Sequence, residues 1–572
     1  MAALVLTTAC VGGSSDSDSV GSSAGGGDDS APVAGSGSGA AGGSGAAGGV
    51  SFGGAQDVGD FKSILDSGGI PGPDTFDANG FFNEHYNAPA PASCGNLLCI
   101  TSGMSVGPDW LTGDHQATLQ IAIESTADPK TFQRLPMNLV VVVDHSGSMA
   151  LDSRLDKVKS GLHSMVDNLQ DGDRLAIVEF DDVVTVDAAL GTTLDRPALH
   201  AIVDSLTPRG GTDIYDGLLQ GFQLLGDVPA SERQNRVILL SDGNATSGDT
   251  VQADILAMAK DRVGRGIGLT TIGVGQDFDI ALMRGLAEQG AGNFYFLEDP
   301  SAATEVFTEE LNYFLQPIAL DVQLTATAGP GYRFADAAGT TLWTNGPTSG
   351  LMQIPAVFVA SRTTQSGEDG RRGGGSMIFI KMTPVAGNTG RVADLTMSFR
   401  TPGSTARTTQ TLSLDYANDP NETPAQPYLS SPEMAERYAM YNMYLGIHAA
   451  TQTQDLGCAT AILTATRNNA TTWNATHEDP DIAADLMLVD EYLGNLSTQG
   501  EYGEYSGDYP VSSCVVGTNL PGEGANPPFN NTTGDDEPTH YNGLACSTGG
   551  PAGGLPVALG MLALVIRRRR RA

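Results

Sequence analysis

Positive charge is scarce in this chain of 572 residues: 30 Lys and Arg stand against 66 Asp and Glu, a formal net charge of −36. Five of those 30 form the terminal run Arg567–Arg571, so everything before them is more acidic still. A surface of that sign repels nucleic acid phosphate, which excludes nucleic acid as a partner, while it favours solubility and divalent cations. Cysteine is scarce too, six in all, and no Cys or His cluster has the spacing of a zinc site. Long apolar runs are missing. The C-terminal stretch Gly553–Ile566 has 14 residues, about 21 Å as a helix and short of the roughly 20 residues of a bilayer span. A chain with one such segment cannot build a conducting pore.

What is abundant is glycine, 73 residues, much of it outside any periodic pattern, so part of the length is linker. Residues 11–50 and 515–545 are low-complexity Gly, Ser, Ala, Asn and acid, too poor in apolar side chains to bury a core. Between them the pattern changes several times. Residues 51–134 are mixed, with a weak helical patch at "GDFKSILDSGG" and an alternating strand "HQATLQIAIES" at 115–125. From Asn138 strand and helix alternate: "NLVVVVD", "SRLDKVKSGLHSMVDNL", "DRLAIVEF" with "DVVTVDAAL" beside it as a hairpin, "NRVILLSDG", "TVQADILAMAKDRVGRG", "IGLTTIGVG". This predicts a doubly wound α/β domain over 135–317 with a mostly parallel sheet covered on both faces. Residues 318–417 return to alternation and read as an antiparallel β-sandwich. The strand at 116–125 belongs to the same sheets, so the α/β domain is expected as an insert in the sandwich. Residues 428–514 are helical, opened by Ser431-Pro432-Glu433, a cap with proline at the first helical position. The charged, glycine-rich stretch 367–376, "GEDGRRGGGS", reads as a solvent-exposed, mobile hairpin loop.

In doubly wound sheets ligands bind beyond the carboxyl ends of the strands, where strand order reverses. The first strand ends in Asp144-His145-Ser146-Gly147-Ser148, the loop "TPRGGTD" places Thr212 before a helix, and "NRVILLSDG" ends at Asp242. Three loops far apart in sequence thus bring hydroxyls and carboxylates to one edge. That all-oxygen set suits a hard cation such as Mg²⁺, with Mn²⁺ or Ca²⁺ as alternatives. "DHSGS" is not a G-x-S-x-G nucleophile elbow, and His145 is adjacent to Ser146, so its side chain points away from its neighbours at a strand end. The same loop lacks the lysine and spacing of a phosphate-binding loop. Catalysis as a serine hydrolase is therefore the weaker alternative, and the chain is expected not to be an enzyme.

Asp144-x-Ser146-x-Ser148 with Thr212 and Asp242 resembles the metal-ion-dependent adhesion site of the von Willebrand factor type A family. The resemblance covers about 180 residues, with "GGTDIYDGL" and "ILLSDGNATSGD" among the family-like loops. It implies that Ser146, Ser148 and Thr212 ligate the metal directly, with Asp144 and Asp242 as direct or water-mediated partners. It implies a protein ligand that completes the coordination with an acidic side chain. The flanking sandwich and helices resemble bacterial secreted proteins akin to inter-alpha-trypsin inhibitor heavy chains. A fixed-partner scaffold of an envelope assembly is the alternative use of such a site.

The two ends carry targeting expectations. "MAALVLTTAC" (1–10) resembles the lipobox end of a bacterial lipoprotein signal, with Cys10 as the lipidated residue, although Leu6 lies four residues before it and no basic region precedes it. Residues 546–572 place Cys546, a Gly/Pro spacer, the short apolar stretch and five arginines in the order of a MYXO-CTERM sorting tail. Positive charge stays cytoplasmic, so the body lies outside. An exported protein anchored at the outer membrane or cell surface is expected. In such an oxidising compartment two disulfides follow naturally from the remaining cysteines, Cys94, Cys99, Cys458 and Cys514.

Overall fold

The computed structural model describes residues 48–499 together with 511 and 514, apart from 88–93, 114, 128–134, 192–193, 227–232, 243, 276–277, 298–316 (306 and 307 excepted), 361, 363, 366–370, 386–389 and 420–425. Cys10, Cys546, residues 11–47 and 515–545 and the C-terminal tail lie outside the described residues, whereas the last three residues of the low-complexity stretch 11–50 begin the first strand, Gly48–Ser51, with Val50 buried.

The N-terminal part supplies β1 (Gly48–Ser51), β2 (Gly54–Ala55), α1 (Gly59–Asp66), α2 (Ala78–Asn83), β3 (Leu98–Pro108) and β4 (His115–Ser125). The central part begins with β5 (Met137–Asp144), α3 (Arg154–Asn168), β6 (Arg174–Phe180), β7 (Val184–Ala188), α4 (Arg196–Ser205) and α5 (Ile214–Leu225). It continues with β8 (Gln234–Ser241), α6 (Gln252–Gly264), β9 (Gly268–Val274), α7 (Ile280–Gln289) and β10 (Asn293–Leu297). Then come β11 (Pro317–Ala328), β12 (Tyr332–Ala338), β13 (Trp343–Asn345), β14 (Ser349–Val359) and β15 (Met377–Pro384). The chain closes with β16 (Gly390–Arg400), β17 (Arg407–Tyr416), β18 (Tyr428–Leu429), α8 (Met434–Thr451), α9 (Leu456–His477) and α10 (Pro480–Gln499).

Every residue of β5 is buried, which explains its run of valines. β-Branched side chains suit the pleated surface, and a central strand covered on both faces has no solvent side to alternate toward. Leu139, Val141 and Val143 pack with Leu155, Val158 and Leu162 of α3 and Leu199 and Val203 of α4. Val140 and Val142 face the other way, onto Leu218 and Phe222 of α5 and Leu282 and Met283 of α7. Each fully buried valine of this kind contributes about 1.5–3 kcal/mol. The sheet order is β2-β10-β9-β8-β5-β6-β7, parallel throughout except for the β6–β7 hairpin. The chain leaves β5 toward β6 on one side and returns to β8 on the other, so the order reverses at β5. The fold is the expected doubly wound α/β arrangement with an additional antiparallel sheet system.

That second system consists of two antiparallel sheets joined by β1, which pairs with β4 through Gly48 and Gly49 and with β14 through Val50 and Ser51. Strands β3 and β4 precede the α/β part, yet β4 lies between β15 and β1, so the α/β part interrupts the sandwich in sequence. One residue pair beyond β1, β2 runs parallel to β10 at the edge of the α/β sheet. A single extended segment therefore stitches the two sheet systems together.

Helix α8 is buried on nearly all sides, packed with α1, α2, α9 and α10 around Phe61, Phe76, Phe81, Phe82, Tyr444 and Tyr492. The structure pairs Cys94 with Cys99 and Cys458 with Cys514.

One expectation is corrected. Residues 371–376 are not an exposed loop: Arg372 through Ser376 are buried and Arg371 is half-buried. Arg371 bridges Glu84 at 3.3 Å and Asp485 at 2.8 Å, and Arg372 meets Asp57 at 2.6 Å. The glycines let the backbone come close, since a Cβ on Gly374 would stand 1.9 Å from the His85 carbonyl oxygen. Charge patterning in the sequence cannot show that the matching carboxylates come from segments more than 100 residues away. Residues 367–370 lie outside the described residues.

Candidate metal centre

At the carboxyl end of β5 the chain turns sharply. Asp144 Oδ1 accepts the Ser146 N–H at 2.8 Å, which folds the loop back so that Ser146 and Ser148 stand side by side, their Oγ atoms 3.0 Å apart. Asp144 Oδ2 accepts from Ser241 Oγ at 2.6 Å, and Ser241 is the last residue of the neighbouring strand β8. Ser148 Oγ donates to Asp242 Oδ1 at 2.8 Å. Two adjacent parallel strands thus bring the two aspartates and both serines to one point.

The third loop is tied to the first through its backbone. Gly147 N–H donates to the Gly210 carbonyl at 3.1 Å, and Arg209 N–H donates to the His145 carbonyl at 2.7 Å. Gly210 sits at φ +69°, and a Cβ there would meet the Asp181 carboxylate at 2.7 Å, so only glycine allows this approach. Thr212 follows, buried, its N–H on Thr246 Oγ1 at 3.0 Å and its carbonyl accepting from Thr246 N and Ser247 N. Next to it, Asp213 caps α5 through the Asp216 N–H. The loops carrying Asp144, Ser146, Ser148, Thr212 and Asp242 therefore meet at the same end of the sheet.

Asp144 is 0% and Asp242 1% exposed. Burial pushes the Asp144 carboxyl up to about 6, against the hydrogen bonds from Ser241 and Ser146, and the neighbouring Asp242 charge adds to the rise. One feature escaped the sequence reading: Arg154, at the start of α3 and 3% exposed, reaches Asp242 Oδ2 at 2.9 Å. Ser241 escaped it as well. Its signal was its place directly before Asp242, and that of Arg154 was its place in the first turn after the serine loop. Two buried carboxylates against one guanidinium leave the site with excess negative charge, and the remaining donors are neutral oxygens. This chemistry fits a hard divalent cation.

His145 is buried and turned away from the serines, its Nδ1 3.0 Å from the Thr207 carbonyl and its Nε2 3.9 Å from Asp181. Near the rim, Asp249 accepts the Val251 N–H, and Asp279 caps α7 through the Leu282 N–H.

Residues 138–309 match the von Willebrand factor type A domain family. The chain is 30% identical over 223 residues to the uncharacterized protein YfbK of Escherichia coli K12, a match spanning 38% of each chain. It is 24% identical over 236 residues to inter-alpha-trypsin inhibitor heavy chain H1 of Mesocricetus auratus, spanning 38% of this chain and 26% of the relative. The chain thus spans well under two thirds of these relatives. Among solved structures, a von Willebrand factor type A protein from Catenulispora acidiphila is 18% identical with a TM-score of 0.46, over 67% of this chain and 87% of that one. Residues 138–309 of this chain form a von Willebrand factor type A domain.

Proposed function

We propose that this protein is a surface-exposed, divalent-metal-dependent protein-binding module. The observation that carries the reading is the convergence of the Ser146 and Ser148 hydroxyls between the buried carboxylates of Asp144 and Asp242. Ser146, Ser148 and Thr212 would hold the metal by their hydroxyl oxygens, with Asp144 and Asp242 supplying charge directly or through water. A bound Mg²⁺, Mn²⁺ or Ca²⁺ would offer a positive centre to an acidic side chain of a partner protein. The protein's own contribution is preorganisation. Ser241 and the Ser146 N–H orient Asp144, Arg154 and Ser148 orient Asp242, and the Thr246–Ser247 turn fixes Thr212.

The proposal extends to location. Two disulfides favour an oxidising compartment, and the lipobox-like start and arginine-ended tail support export with anchoring at the cell surface. Among the described residues no helix is long and apolar enough to cross a membrane.

The test is capture of partners by the full chain from cell-surface extracts in Mg²⁺ and in EDTA, with Thr212→Ala in parallel. Capture that requires Mg²⁺ and is lost in Thr212→Ala is expected. Capture of one stoichiometric partner unaffected by EDTA would replace the reading with that of an assembly scaffold.

A further inference from the structure

The helices that cover one face of the α/β sheet carry a short repeat. Leu162-His163-Ser164-Met165-Val166-Asp167-Asn168-Leu169, at the end of α3 and its C-cap, matches Leu199-His200-Ala201-Ile202-Val203-Asp204-Ser205-Leu206, at the end of α4 and its C-cap, in the pattern L-H-x-x-V-D-x-L. The leucines and valines of both copies are buried. Histidine and aspartate, four residues apart, share one face of each helix. They do not pair within their own helix. His163 Nε2 meets Asp204 at 3.1 Å and His200 Nε2 meets Asp167 at 3.0 Å, a reciprocal exchange across the helix pair.

This arrangement leaves the other ring nitrogens facing each other. His163 Nδ1 and His200 Nδ1 stand 2.6 Å apart, with ring centroids 4.9 Å apart and planes inclined by 26°. The two nitrogens therefore lie on the line between nearly coplanar rings. A carboxylate only accepts, so each Nε2 carries its proton and donates it. Both Nδ1 atoms then present lone pairs head on, an arrangement that requires a cation between them. Either one proton or one metal ion can fill that role.

We propose that the His163–His200 pair is a second metal site, for a divalent transition-metal ion of borderline softness such as Zn²⁺ or Cu²⁺. Imidazole nitrogen selects these ions, in contrast to the all-oxygen centre at the end of β5. A carboxylate on the far nitrogen of each ring fixes its tautomer and orientation, which is the usual support of a metal-bound histidine. Two nitrogens at about 2.0–2.1 Å from one ion with a tetrahedral or square-planar angle are roughly 2.9–3.4 Å apart. The nitrogens must therefore part by less than an ångström, and each ring must tilt by about 35–45° to aim its lone pair at an ion lying off the line between them. They are free to do so, since the two side chains are 33% and 28% exposed. The same exposure leaves the remaining coordination positions to water or to a side chain of a docked protein. A bound ion would clip α3 to α4.

The experiment uses the full chain in millimolar Mg²⁺, which loads the oxygen site, and titrates in ZnCl₂ by calorimetry. Cu²⁺ with electron paramagnetic resonance reports the number of nitrogen ligands. The wild type is expected to bind one Zn²⁺ that a His163→Asn/His200→Asn double variant does not bind, with two nitrogens on Cu²⁺. Asp167→Asn, which keeps both metal-binding nitrogens, is expected to weaken Zn²⁺ by about 10–100-fold, and this variant separates loss of the site from loss of the fold. Equal Zn²⁺ binding by wild type and double variant would overturn the proposal. So would the absence of Zn²⁺ binding in the wild type, which would leave the pair as a shared-proton bridge.

Discussion

Asp242→Ala is the substitution that most directly tests the metal centre, yet the structure makes it a stability variant as well. Asp242 is the 2.9 Å partner of Arg154, and the two side chains are 0% and 3% exposed. Removing one member of a buried ion pair costs about 3–5 kcal/mol, because the other charge stays in a low-dielectric setting. Arg154 retains a 4.0 Å approach to the exposed Asp152, which places the expected cost at the lower end, about 3 kcal/mol. For a domain of 150–250 residues each kcal/mol lowers Tm by roughly 2–4 °C, so a fall of roughly 6–12 °C is expected. The measurement is thermal unfolding in EDTA, where loss of bound metal cannot contribute. Thr212→Ala in the same buffer should unfold within about 3 °C of wild type, since its side chain anchors no charge. Adding Arg154→Met to Asp242→Ala should recover most of the loss, because an apolar pair needs no charge partner. If Asp242→Ala in EDTA unfolds within 2 °C of wild type, the buried pair does not have the energetic role assigned to it.

Two further predictions concern the rest of the molecule. Burial would pull His85 down, but the Asp485 carboxylate at 2.7 Å, with Asp481 nearby, holds it up to about 9. Its contribution, up to about 3 kcal/mol, is then fully present below pH 6.5 and lost as pH rises toward 9. The urea midpoint should fall over that window in wild type, and Asp485→Asn should flatten the fall; an unchanged pH profile in the variant would refute the assignment. The Cys458–Cys514 bond closes a sequence separation of 56 residues, and its removal by Cys458→Ser/Cys514→Ser should cost about 4 kcal/mol on the loop-entropy relation. Denaturant unfolding of the double variant under oxidising conditions checks this, and a loss below 1 kcal/mol would contradict it.

The doubly wound domain was readable because its signals are local. A run of valines stopped by Asp144, amphipathic helices at a period of 3.6, and glycine and aspartate at the turns each reflect the backbone requirement of one element. The placing of Asp144, Ser146, Ser148, Thr212 and Asp242 at strand ends followed from the same reading, since a parallel sheet puts those ends on one edge whatever the details of packing. The sandwich and the helical part were legible in kind for the same reason.

What tertiary structure alone decided is where unlike segments meet. Nothing in the local sequence marks a partner for Arg154, and only the fold brings it against Asp242, 88 positions away. The arginines of the glycine-rich stretch looked solvated because solvation is the cheapest fate for adjacent charges. Arg372 is buried and Arg371 half-buried because Asp57, Glu84 and Asp485 arrive from distant parts of the chain to neutralise them. The two L-H-x-x-V-D-x-L copies were visible as letters, but no periodicity within one helix says that its histidine will answer the other helix's aspartate. Local sequence determines the conformation of each element through short-range sterics and the hydrophobic period. The pairing of charges and ligands across elements depends on three-dimensional packing, in which sequence distance has no part.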